Sequence, residues 1–131
     1  MTSNVSIEAA KWWAQRACSL AHHDNGDRGM TSIFAGMLAD MTSKPVEADR
    51  LEKFTQELAE RIESELDRRQ VRYVSLDCDY APCDILTSAA KACDIPPANF
   101  PWKTSMHVDD DRKEIHVSEG YGAPWELIYK E

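Results

Sequence analysis

With 131 residues, 43% hydrophobic and 29% charged, the chain is long enough to bury a core as one domain, and no apolar run reaches the roughly 18 residues a membrane span needs. The net charge of −8 excludes a non-specific nucleic-acid binder, because attraction to phosphates needs a basic surface. The opening residues MTSNVSIEAAKWW lack the basic start and apolar run of a secretory signal, so a cytoplasmic location is expected.

The first helix is expected from about Ile7 to His22, with Ser6 as its N-cap. Ala10, Trp13, Ala14, Ala17, Leu20 and Ala21 recur at helical spacing, and the turn formers HHDNGDRG end it. A second helix, about Thr31 to Met41, carries the stripe Ile33, Phe34, Met37, Leu38 and Met41. Pro45 separates it from the longest helix, about Val46 to Arg69, whose narrow stripe is Leu51, Phe54, Leu58, Ile62 and Leu66. Glu57/Arg61 and Glu65/Arg69 sit four apart on its charged faces.

The hydrophobic period then changes from 3.6 to 2, and Val71–Cys78 reads as a strand. Pro82 opens a short helix to about Cys93, and Pro96 and Pro97 stop it. Thr104–Val108 and Lys113–Ser118 read as a hairpin around Asp109–Asp111, and Trp125–Tyr129 as a last strand. Trp125, Leu127 and Tyr129 are expected on one face of that strand. The fold class is therefore α+β, with three N-terminal helices packed on a small, mostly antiparallel sheet and one further helix. A single domain spans residues 1–131, helical over about 6–69 and α/β over about 71–131.

Cys18, Cys78, Cys83 and Cys93 are expected to be reduced, and no metal or cofactor is implied. Pairing the hairpin about Asp110–Asp111 puts Val108 opposite Lys113 and Ser105 opposite His116. His107 and His116 then lie diagonally on one face, and Met106, Val108, Ile115 and Val117 on the core face. Two histidines on one face suit acid–base chemistry, but a solvated polar face is the simpler reading. The His116-Val-Ser118 match to two-histidine phosphoesterases fails, because that family places its two elements in separate lobes. Arg28, in a glycine-flanked loop, suits bidentate phosphate recognition.

The remaining constellation is aromatic: Phe100, Trp102, Tyr121 and Trp125, with the cations Lys103 and Arg112 and the loop Gly120, Gly122 and Ala123. Rings beside cations and close-approach backbone suit a nucleotide-sized ligand, while the same rings also suit a core that closes the sheet end. FPWK precedes the hairpin and GYGAP follows it, so both are expected at one end of the sheet. The absence of a nucleophile arrangement or phosphate loop favours a binding protein over an enzyme.

The segment NFPWKTSMHVDDDRKEIHVSEGYGAPWELIY, chiefly its FPWKT and GYGAP parts, resembles small proteins of bacteriophages and prophages. Among these, the chain from Tyr73 onward is similar to the first type of Thoeris anti-defence sponge. That resemblance implies a homo-oligomer in an infected bacterial cell that sequesters cyclic ADP-ribose signals, with cyclic oligonucleotides of CBASS type a further ligand class, and does not cleave them. It would place the aromatics Phe100, Trp102, Tyr121 and Trp125 on the base and Arg28, Lys103 or Arg112 on the phosphates. An acidic inhibitor of a host protein and a phosphodiesterase built on His107 and His116 are the alternatives.

Overall fold

The computed structural model describes residues 3–17, 46–120 and 122–131. The expected helix at Thr31–Met41, the HHDNGDRG loop with Arg28, and Tyr121 lie outside the described residues. Helix α1 spans Asn4–Ala17, α2 spans Ala48–Arg69 and α3 spans Asp84–Ala92. Strands β1 (Tyr73–Cys78), β2 (Thr104–Asp109), β3 (Glu114–Glu119) and β4 (Glu126–Lys130) form one antiparallel sheet in the order β1-β2-β3-β4. The fold is α+β, as its change of hydrophobic period requires.

Helix α1 begins earlier than expected. Ser3 is the N-cap, since its hydroxyl accepts from the Ser6 N–H (3.4 Å) and its carbonyl from the Ile7 N–H (3.1 Å). Ser6 instead sits inside the first turn, fully buried, and donates to Glu63 of α2 at 2.8 Å. Helix α2 ends where Gln70 turns left-handed (φ 52), with Gln70 N–H donating to Asp67 and Val71 N–H to Leu66 (both 3.1 Å). Pro82 does not open α3: it bridges back to Cys78, and Cys83 holds the N-cap position.

The core lies between the helices and one face of the sheet. Val5, Ala9, Trp13 and Ala17 of α1 and Phe54, Leu58, Ile62 and Leu66 of α2 meet Val74, Leu76, Met106, Val108, Ile115 and Val117. The irregular segment before β2 is part of this core. Phe100 is fully buried between Trp13 (ring centroids 6.1 Å apart) and Phe54 (5.7 Å), and the buried Asn99 side chain donates to the Ala17 carbonyl at 2.9 Å. Arg16 lies 4.2 Å over the Trp12 ring and grips Glu119 at the end of β3 with two hydrogen bonds.

The β2–β3 register differs from the expected one by two residues. Val108 pairs with Ile115, Ser105 with Ser118 and His107 with His116. The cause is the turn: Asp109 Oδ1 accepts from the Asp111 and Arg112 N–H groups (3.0 Å each), and Lys113 turns left-handed (φ 56), so four residues close the loop. The core-face assignment survives, because a shift of two keeps every side chain on its face.

Strand β4 is also irregular. The register against β3 shifts between Ile115 and His116, so Tyr129 pairs with Ile115 while Leu127 pairs with His116. This bulge separates residues expected together: Tyr129 packs on the core, and Leu127 joins the opposite face, half exposed.

Candidate functional site

Among the described residues, helices cover one face of the sheet and leave the other open. The rows of the open face follow from the register: Tyr73, Asp109, Glu114 and Lys130; then Ser75, His107, His116 and Leu127; then Asp77, Ser105 and Ser118. Tyr73, Leu127 and the adjoining Trp125 are all exposed by 46–50%. Trp125 stacks on His107 (centroids 4.2 Å, 30° between planes), and Tyr73 meets the same imidazole edge-on at 5.1 Å. Burial first, and then His116 opposite, hold the His107 pKa below its usual value, with Asp77 opposing.

Beyond the third row, three loops converge. The Lys103 N–H donates to the Asp79 carbonyl (3.0 Å), and the Lys103 carbonyl accepts from the Gly120 N–H (3.1 Å). Lys103 therefore stitches the loop after β1 to the loop after β3, and it does so in a left-handed conformation (φ 54). The Ala123 N–H donates to the Gly120 carbonyl (3.2 Å), and Gly122 stands left-handed (φ 70), which glycine adopts at little cost. The Ser118 hydroxyl donates to the Ala123 carbonyl at 2.7 Å, tying that turn to β3.

These loops frame a cleft of about 280 Å³, lined by Asp77, Asp79, Lys103, Ser105, Ser118 and the two glycines among others. Among the described residues that line it, Lys103 is the cation. Its ammonium pairs with Asp79 at 2.5 Å and lies 4.4 Å over the Tyr80 ring, which meets Trp102 edge-on at 4.9 Å. The cleft thus offers carboxylates, hydroxyls and one cation paired with Asp79 and lying over the exposed Tyr80 ring.

The sequence-derived residues separate into three groups. Lys103, Gly120 and Gly122 line the cleft, and Ala123 closes its turn. Phe100 (0% exposed) and Trp102 (6%) are core: both neighbouring rings of Phe100 belong to helices, and neither residue offers a face to a ligand. Arg112 lies in the β2–β3 turn, at the opposite end of six-residue strands, about 20 Å from the cleft. Asp77, Asp79, Tyr80, Ser105 and Ser118 were missing from the sequence-derived set. Asp77 and Ser105 could have been found by alternation once the core face was assigned; Asp79 and Tyr80 follow a strand with no local signal.

Cys78, Cys83 and Cys93 are unbridged, and burial pushes the Cys78 thiol up to about 12, so it does not act as a nucleophile at neutral pH. Among the described residues no helix is long and apolar enough to cross a membrane, and no three metal-ligating side chains cluster. No protein-family model matches the chain, and no curated protein matches it.

Proposed function

We propose that the protein captures a small nucleotide in the loop-end cleft and holds it without breaking a bond. The observation that carries this reading is the convergence of Lys103, Gly120 and Gly122 on one cleft at the end of the open sheet face on which the exposed Trp125 stacks against His107. A base stacks on the open side of Trp125, ribose hydroxyls donate to Asp77 and meet Ser105, and a phosphate meets Lys103. The resemblance of FPWKT and GYGAP to Thoeris anti-defence sponges supplies the ligand class: cyclic ADP-ribose, with cyclic oligonucleotides second. In that reading the protein works in the cytoplasm of an infected bacterium and starves a host effector of its signal. The exposed Leu127 and Ile128 of the outer strand β4, with Trp125 just before it, favour a second copy of the chain as its neighbour.

Incubating the protein with cyclic ADP-ribose or cyclic oligonucleotides, heating it, and analysing what is released tests the reading. Depletion followed by release of intact nucleotide is expected. Release of altered nucleotide points to hydrolysis by His107 and His116, and no depletion refutes nucleotide capture. The second reading, an acidic inhibitor that docks a host protein, draws on Tyr73, Trp125 and Leu127 exposed among Asp77, Asp109 and Glu114 on the open face.

A further inference from the structure

We propose that Asp79 is an internal competitor for the ligand's phosphate, displaced from Lys103 only by an anion, so that it restrains the cleft's preference for nucleotides over the corresponding nucleosides. This rests on the reading that the cleft holds a nucleotide. The Lys103 backbone is held on both sides, through Asp79 and Gly120, and its ammonium is held by the Asp79 carboxylate and the Tyr80 ring. The pair is lopsided: the Lys103 side chain is 23% exposed, whereas that of Asp79 is 67% exposed. The cation is the sheltered partner and the anion the solvent-facing one.

An incoming anion can therefore take Asp79's place while only the exposed carboxylate swings outward. The lysine need not move, and Tyr80 keeps its ring under the ammonium. A neutral ligand cannot make this exchange. Pushing Asp79 aside without replacing it leaves a sheltered ammonium unpaired, and the weak attraction of a neutral group does not offset that cost. Asp77, on the same cleft, adds repulsion that any phosphate must overcome. Both carboxylates therefore oppose the phosphate, whereas a neutral ligand leaves the Lys103–Asp79 pair in place.

Calorimetric titration of adenosine and ADP into wild type, Asp79→Asn, Lys103→Met and the double variant tests this. The Asp79 side chain is solvent-facing and its backbone carbonyl is retained in Asp79→Asn, so that variant keeps the wild-type melting temperature. Asp79→Asn tightens ADP binding about five- to tenfold and leaves adenosine unchanged. The gain vanishes in the Lys103→Met background. An unchanged or weaker ADP affinity, an equal gain for adenosine, or a gain that survives Lys103→Met overturns the proposal. If wild type binds neither compound, inorganic pyrophosphate decides the competitor role, and depletion of the cyclic nucleotides decides nucleotide capture separately. Pyrophosphate binding by Asp79→Asn that requires Lys103 sustains it; no binding overturns it.

Discussion

Replacing Phe100 with alanine removes a fully buried ring from between Trp13 and Phe54. A buried Phe→Ala change costs about 3–5 kcal/mol. Loss of two aromatic contacts, each about 0.5–1.5 kcal/mol, places this one near the middle of that range, at about 4 kcal/mol. For a chain of 131 residues the unfolding entropy near the melting point is about 0.28 kcal/mol/K, so Tm falls by about 15 °C. Thermal unfolding followed by circular dichroism reads that shift, and calorimetry below the lowered Tm reads nucleotide affinity. Trp125→Ala is the matching opposite, since its ring is 47% exposed: it leaves Tm within a few degrees and weakens nucleotide binding about tenfold or more. A Phe100→Ala protein that keeps its Tm but loses ligand refutes the division of the aromatics into core and platform. So does a Trp125→Ala protein that melts early and binds normally.

Glu63 joins the helices: it accepts from Ser3 N–H (2.9 Å), from the Ser3 hydroxyl, and from the Ser6 hydroxyl (2.8 Å). Burial opposes its ionisation, but these hydrogen bonds outweigh burial and lower its pKa from 4.5. A lowered carboxyl stabilises the fold above its unfolded pKa and loses that contribution as pH falls through the folded one. Glu63→Gln is therefore expected to cost about 1 kcal/mol at pH 7 and to flatten the decline of stability below about pH 4.5, as read by urea unfolding across pH. Gln70 stands left-handed at the end of α2, so Gln70→Gly is expected to stabilise by about 0.5–1 kcal/mol; a loss in urea unfolding refutes it. His107 is expected to titrate below 6.5 by NMR. Because the folded state resists the proton, its contribution to stability declines as pH falls below about 6.5, and a midpoint at or above that value refutes the stacked, partly buried imidazole.

The fold was legible because it rests on period and punctuation. The stripe Phe54, Leu58, Ile62 and Leu66 and the alternation Met106, Val108, Ile115, Val117 each fix an element and its buried face. Errors gathered where a single contact decides. Two Asp109 hydrogen bonds moved the hairpin register, one bulge divided β4, and Ser3 rather than Ser6 capped α1. No periodic signal encodes such contacts, since each depends on which side chain reaches a given N–H.

The site was legible only in part, for a related reason. FPWK and GYGAP were expected at one end of the sheet, and the Gly120–Lys103 hydrogen bond joins them there. Sequence could not say which rings of that group would turn inward. The Trp13–Phe54 pair, contributed by two distant helices, claims Phe100, and the platform passes instead to Trp125, whose stacking partner His107 comes from the hairpin. The cation behaves the same way. Arg112 and Lys103 carry the same charge in the sequence, yet one hairpin separates them by the full length of the strands. What distinguishes Lys103 is its backbone, fixed to two loops at once, which presents its ammonium to the cleft already paired with Asp79. Charge counting along the chain therefore gives a weak guide to this cleft, because the position of Lys103 and its pairing with Asp79 decide the charge it presents.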